Sequence, residues 1–120
     1  MVADESTITL LDHPMDAEGW SSERVTLRLT GDGALALRVD TGGRAVQLQF
    51  GDDVSLYRRE YAVTDLDAVT RALPPGDPLD RLRQVLDVRD GDEGTTVIDR
   101  FLAWLDRHGI GYAETERTDL

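Results

Sequence analysis

Residues 24–39 read RVTLRLTGDGALALRV, and this stretch decides the fold class. Apolar residues occupy every second position before the Gly31-Asp32-Gly33 segment and again after it: Val25, Leu27, Leu29, then Leu35, Leu37, Val39. A period of two is typical of strands with one buried and one solvated face, and glycines suit a tight connection between them. The stretch therefore predicts an antiparallel hairpin.

The flanking segments extend this hairpin into a meander. Residues 46–50 (VQLQF) alternate again after glycines at 42 and 43, and residues 54–63 form a longer extended run. A change of phase within that run predicts a β-bulge at residues 57–59. Residues 7–11 predict a further strand at an edge of the sheet. We expect about five antiparallel strands in the N-terminal part of the chain.

After residue 63 the spacing of apolar residues changes to that of helices. The sequence predicts about three helices: one begins near Asp65, one begins at Asp77-Pro78, and one runs over residues 96–108. Residues 110–115 can add a C-terminal strand. Strands followed by helices indicate an α+β fold, with the helices packed on one face of the sheet. We expect a single globular domain over residues 1–120.

The amino-acid composition restricts the kinds of molecule that we expect this protein to bind. The 120 residues include 24 acidic and 13 basic side chains, no cysteine and a net charge of −11, and every base is arginine. The negative charge argues against nucleic acids and anionic membranes as partners. No secretory leader is recognisable, so we expect a cytoplasmic protein. GC-rich codon usage and a salt-adapted host are two further explanations of this composition, and the sequence leaves both open.

The sequence predicts neither a catalytic site nor a metal or cofactor site. Because lysine is absent, a Walker loop and a Schiff base are excluded, and no serine lies in a G-x-S-x-G motif. The acidic loop 90–94 departs from the residue order of an EF-hand. His13 lies between Asp12 and Asp16, but the spacing matches no metal or general-base motif, and its role stays open.

Two groups of residues carry the functional expectations. In the predicted hairpin Arg28 faces Ala36 and Arg38 faces Thr26, so the two guanidinium groups are diagonal neighbours on the polar face. With the two glutamines of the third predicted strand they form a candidate anion or ligand site: Arg28, Arg38, Gln47, Gln49. Acidic residues, together with a cluster of tyrosines and arginines, form a candidate partner-binding surface: Asp65, Asp67, Asp90, Asp92, Glu93, Tyr57, Arg58, Arg59, Tyr61.

These features favour a small, acidic, non-catalytic protein-interaction module. Its partner is expected to be a basic protein, and an inhibitor or immunity-type protein would fit this description. One alternative is a small-molecule-binding or enzymatic domain with a pocket between sheet and helices. A second alternative is a structural subunit of a homo-oligomer, which would pair through residues 7–11 or 54–63 as an exposed strand edge.

Overall fold

A computed structural model describes residues 6–30 and 32–118 of the chain; Gly31 of the predicted turn lies outside this part. In chain order the elements are β1 (Ser6–His13), β2 (Ser22–Leu29), β3 (Leu35–Gly42), α1 (Arg44–Phe50), β4 (Leu56–Val63), α2 (Leu66–Ala72), α3 (Pro78–Leu86), α4 (Gly94–Arg107) and β5 (Ala113–Thr118). The five strands form one antiparallel sheet in the order β1-β2-β3-β4-β5. The predicted α+β meander is thereby confirmed, with four helices instead of about three.

The hairpin formed by β2 and β3 has the predicted register. Arg28 pairs with Ala36 and Thr26 pairs with Arg38. Strand β1 lies at one edge of the sheet, as expected for residues 7–11. The C-terminal strand exists and forms the opposite edge, although it begins at Ala113 rather than at residue 110.

The strand predicted at residues 46–50 is wrong, because this segment is helix α1. Two backbone bonds hold its first turn: the N–H of Arg44 donates to the carbonyl of Gly19 at 3.1 Å, and the N–H of Ala45 donates to that of Trp20 at 2.9 Å. Gly43 precedes the helix at φ 96°, where a Cβ would lie 2.5 Å from the Trp20 carbonyl oxygen. Leu48 is 75% exposed, so the apolar alternation did not mark a buried face.

Two smaller predictions about the sheet are also wrong. The β3–β4 register runs without a break from Leu35 opposite Val63 to Gly42 opposite Leu56, so residues 57–59 hold no bulge. The irregularity lies in β1, between Thr9 and Leu11. Residues 54–63 offer no free edge either, because β5 pairs along β4.

Helices α2 and α3 begin at the predicted signals. The Asp65 carboxylate accepts a hydrogen bond from the Ala68 N–H at the start of α2, and the Asp77 carboxylate accepts one from the Leu79 N–H at the start of α3. Such caps satisfy N–H groups that have no partner within the helix. Helix α4 begins two residues earlier than predicted and is capped at its end by His108. Within the described part of the chain, no helix is both long and apolar enough to cross a membrane.

All four helices lie on the same face of the sheet. The core joins inward side chains of the strands to those of the helices: Val25, Leu27, Leu35, Leu37, Val39, Tyr61, Val63, Val69, Leu79, Leu82, Val97, Phe101 and Leu105. Trp104 is 5% exposed and belongs to this core. The alternate residues of each strand therefore form an uncovered face, which we call the open face.

Candidate binding surfaces

The open face is rich in arginine although the chain as a whole is acidic. Residues that lie opposite one another in the register share a face, so the pairing of the five strands assigns its members. It carries five arginines and three carboxylates: Arg24, Arg28, Arg38, Arg58, Arg117, Asp12, Asp40 and Glu60. This face has a surplus of positive charge in a chain whose net charge is −11.

Two cross-strand ion pairs order the middle of the open face. The Nε of Arg38 donates to the Oε2 of Glu60 at 3.0 Å. Arg58 donates to both oxygens of Asp40, at 2.7 Å from Nε and 3.2 Å from Nη2. The hydrogen bond to Asp40 is the main reason why the pKa of Arg58 lies above its ordinary value. Such bidentate contacts fix the plane of a guanidinium group.

Beside these pairs lies a cleft of about 370 Å³. Its lining comes from four adjacent strands: Arg28, Arg38, Arg58, Glu60, Thr115 and Arg117. The Nε of Arg28 is buried and has no hydrogen-bond partner among the described residues. Arg117 lies directly opposite Arg58 in the β4–β5 register. The cleft thus brings together the predicted Arg28 and Arg38 with two further arginines.

The two glutamines predicted to join Arg28 and Arg38 do not do so. They lie in α1, on the opposite side of the sheet. Gln47 donates from Nε2 to the carbonyl of Asp52 at 3.4 Å, and Gln49 lines a second pocket of about 220 Å³ between α1 and the sheet. The error follows from taking residues 46–50 as a strand.

The predicted cluster at residues 57–61 divides between the two faces. Arg58 belongs to the open face, whereas Tyr57, Arg59 and Tyr61 lie on the helix-covered side. There Arg59 donates from Nη2 to the Tyr61 hydroxyl at 2.7 Å, and the Tyr57 ring lies 4.6 Å from that of Phe50. Burial, and next a hydrogen bond to Glu114, raise the pKa of Tyr61.

The pocket between α1 and the sheet contains Arg59, a cation whose hydrogen-bond donors are only partly satisfied. Arg59 and Tyr57 line it together with Glu23 and residues of α1. The Nε of Arg59 is buried and has no hydrogen-bond partner among the described residues. This pocket lies between the sheet and α1, the kind of position named by the small-molecule alternative, which stays a prediction.

Two of the predicted acidic residues form side-chain hydrogen bonds or ion pairs within the described part of the chain, and three do not. Asp65 caps α2. Asp92 accepts from the Arg89 N–H at 2.9 Å and from Nη1 of Arg100 at 2.6 Å, and these bonds, in that order, hold its carboxyl pKa below the ordinary value. In contrast, Asp67, Asp90 and Glu93 are exposed and form no ion pair with any described residue.

Among the described residues, no hydrogen bond or ion pair joins the His13 side chain to the carboxylate of Asp12 or Asp16. Its Nε2 lies 3.1 Å from the backbone oxygen of Asp92. Asp12 lies on the open face opposite Arg24, and Asp16 accepts a hydrogen bond from the Trp20 N–H at 2.7 Å. Among the residues that the structure describes, no group of three or more histidine or acidic side chains is arranged to hold a metal ion.

Sequence reasoning missed three members of the open-face cleft: Glu60, Thr115 and Arg117. Once Arg38 is assigned to the open face, Glu60 can be predicted opposite it, because Glu60 lies on the next strand of the meander. Thr115 lies in the C-terminal strand predicted at residues 110–115 and Arg117 lies beyond it, but neither could be assigned to a face, since β5 (AETERT) is exposed at every position and shows no apolar alternation.

The comparisons with known proteins give no relative whose structure or function bears on these surfaces. The chain has no significant match among protein-family models, curated proteins or solved structures.

Proposed function

We propose that this protein is a non-catalytic interaction module that binds a basic protein partner through the acidic side of its helical layer. The supporting observation is a set of exposed carboxylates in that layer that form no ion pair with any described residue: Asp67, Asp80, Asp90, Glu93, Asp99 and Asp106. None of these carboxylates is therefore held by a described arginine at ion-pair distance, although residues 65–107 also contain six arginines against ten acidic residues.

The physical effect of such carboxylates is mainly on the rate of association. An exposed ion pair contributes only about 0–1 kcal/mol, but a field of one sign accelerates encounter with an oppositely charged partner. The open face has a surplus of arginine, so the negative field lies on the helical side. A basic partner would thus be oriented toward the helices before contact. A protein that inhibits a basic enzyme or toxin would use this steering.

The first experiment is capture of partners from lysate of the native host on the immobilised chain, at low and high salt, with identification by mass spectrometry. The expected result is one basic protein in near-stoichiometric amount, weakened at high salt. Recovery of the chain alone would contradict the proposal and favour the homo-oligomer alternative.

The second step measures how the recovered partner binds charge-reversal variants of this chain. We expect the triple variant Asp67→Lys, Asp90→Lys, Glu93→Lys to lower the association rate constant at least tenfold at low salt and to flatten its salt dependence. Asp65 and Asp92 are left unchanged because they hold α2 and the α3–α4 loop.

The control makes the same change of net charge elsewhere. It reverses Glu18, Asp52 and Asp53, which are exposed and lie outside α2–α4. We expect less than a threefold fall in the rate for this control. An equal fall in both triples would show that only net charge matters, and an unchanged rate in the first triple would remove the helical layer from the interface.

A second candidate function rests on the pocket between α1 and the sheet. The buried, unpartnered Nε of Arg59 is an available donor for a small anionic molecule. The pocket volume of about 220 Å³ lies below the ~300 Å³ at which small-molecule sites usually begin. Recovery of a bound metabolite from the native protein, without a protein partner, would favour this candidate over the interaction module.

A further inference from the structure

The open-face cleft has donors that the fold leaves unused. Arg58 commits Nε and Nη2 to Asp40. Arg38 contacts Glu60 through Nε alone, so its two Nη groups form no hydrogen bond with the described residues. Arg28 and Arg117 line the same cleft, and their side chains form neither a hydrogen bond nor an ion pair within residues 6–30 and 32–118.

The charge of the cleft is also unbalanced. Its four arginines face only Glu60 within the lining and Asp40 beside it, which leaves two positive charges uncompensated. Arg58 and Arg117 lie directly opposite each other, and like charges in that position destabilise a sheet. A bound anion would offset this repulsion.

The form of the cleft indicates the kind of anion. Arginines from β2, β3, β4 and β5 line it, so donors from four strands surround the same space. One carboxylate is satisfied by a single bidentate guanidinium, whereas a tetrahedral phosphate presents three oxygens to several of them. The volume of about 370 Å³ lies within the range of small-molecule sites.

Small side chains beside the cleft leave room for more than a phosphate group. Arg28, Ala36, Ala62 and Ala113 form one row across four strands in the register. Ala36 is covered by its neighbours, whereas the half-buried Ala62 and the exposed Ala113 make a low, weakly apolar floor beside the cleft. The organic part of a ligand could lie on that floor while its charged group contacts the arginines.

We propose that the open-face cleft is a binding site for a phosphate dianion, carried by a small phosphate monoester. This site goes beyond the proposed function and uses other residues, on the opposite side of the sheet from the helical carboxylates. The two proposals can therefore fail independently.

The test is a titration of the isotope-labelled chain with inorganic phosphate, followed by amide chemical shifts at constant ionic strength with chloride as reference. We expect saturable shifts on β2–β5 around the cleft. A second titration with glycerol phosphate is expected to give at least threefold tighter binding, because the monoester adds contacts with the alanine floor. Succinate, a dicarboxylate, is expected to bind at least tenfold more weakly than phosphate.

Three substitutions make the assignment specific. We expect Arg28→Gln and Arg117→Gln each to weaken phosphate binding at least tenfold. Arg24→Gln is the matched control, because Arg24 lies on the same strand and the same face as Arg28 but does not line the cleft. We expect its affinity to stay within twofold of the unmodified chain. If Arg28→Gln does not fold, Arg117→Gln on the exposed strand β5 still decides the question.

The proposal is overturned by any of three results: no saturable shift with phosphate, equal binding of succinate, or equal loss of affinity in Arg24→Gln. Phosphate binding that is no weaker than glycerol phosphate binding would overturn the role of the alanine floor and reduce the ligand to the inorganic ion.

Discussion

At the scale of single residues, a long-range cap joins the sheet to the last helix. The residue before α4, Glu93, forms no capping hydrogen bond with its side chain. Glu23 of β2 supplies one instead, since its Oε1 accepts from the Gly94 N–H at 2.6 Å. A carboxylate at a helix N-terminus also interacts favourably with the helix dipole. The contact therefore fixes where α4 begins relative to the sheet.

This cap predicts the effect of adding one methyl group. In Gly94→Ala the new Cβ would lie 2.7 Å from Oε2 of Glu23 and 3.0 Å from Cγ1 of Val39. The carboxylate would have to move away, and loss of a cap costs about 0.5–2 kcal/mol. We expect the free energy of unfolding, measured by urea denaturation, to fall by about 1–2 kcal/mol, although alanine is otherwise the better helix former.

The matched control for this prediction is Gly91→Ala. Gly91 lies in the same loop, and a Cβ there would meet nothing within 4 Å. We expect its stability to be unchanged or slightly raised. Equal destabilisation by both substitutions would contradict the assigned role of the Glu23 carboxylate.

Caps show how far the sequence determines residue roles. The start of α2, near Asp65, and that of α3, at Asp77, were predicted because a cap of this kind lies within three residues of the N–H groups that it satisfies. Glu23 was not predicted, because 71 residues separate it from Gly94. Local hydrogen bonds can be read from spacing, whereas contacts between distant segments depend on the tertiary fold.

At the scale of elements, the sequence predicted α1 as a strand and predicted β5 three residues too early in the chain. In α1, Val46 and Leu48 suggested a strand, but only Val46 is buried, and backbone carbonyls of the β1–β2 connection hold the first turn as a helix. In β5 the side chains are exposed and mostly polar, so its place beside β4 comes from backbone pairing and from polar contacts such as that of Glu114 with Tyr61. The candidate site inherited both errors: Gln47 and Gln49 were included, and Arg117 was omitted.

The α3–α4 connection predicts a pH dependence. Arg100 donates from Nη1 to the carbonyls of Leu86 and Asp87 at the end of α3, and to the Asp92 carboxylate in the loop. The pKa of Asp92 is lowered in the folded state, so its ionised form stabilises the fold above the ordinary value of 3.8. That contribution is lost as the pH falls through the lowered pKa.

Asp92→Asn removes this contribution. We expect the variant to be less stable than the unmodified chain at pH 6–7, and the difference in unfolding free energy to shrink as the pH falls below 3.8. Urea denaturation at a series of pH values measures it. The control is Asp90→Asn in the same loop, whose exposed side chain forms no ion pair with any described residue. A constant deficit at all pH values would contradict the charge-based explanation.

At the scale of the whole molecule, charge is divided between the two sides of the sheet. Net charge could be read from composition, but this division could not, because it depends on which residues of each strand face the helices. Arg58 and Arg59 illustrate the point: they are adjacent in sequence, yet the first pairs with Asp40 on the open face and the second contacts Tyr61 under the helices. The sequence thus placed Arg28 and Arg38 on the open face, but it did not place Arg58 or Arg117 there.

The same charge balance predicts the response of stability to salt. With a net charge of −11 and only four ion pairs within 4.0 Å among the described residues, we expect repulsion between carboxylates to outweigh attraction. KCl shortens the Debye length from about 10 Å at 0.1 M to about 3 Å at 1 M and so screens this repulsion. We expect the thermal midpoint to rise by about 5 °C, or roughly 1 kcal/mol, and to level off before ~1 M KCl.

A less acidic variant separates this screening from adaptation to high salt. Glu18→Gln, Asp52→Asn and Asp53→Asn together remove three exposed negative charges from the net −11. Since repulsion is then weaker, the variant should start from a higher midpoint at low salt and gain less on adding KCl. An equal rise in both proteins would show that repulsion is not the cause. A midpoint that keeps rising through molar KCl would favour a salt-adapted protein, because screening is already complete in that range.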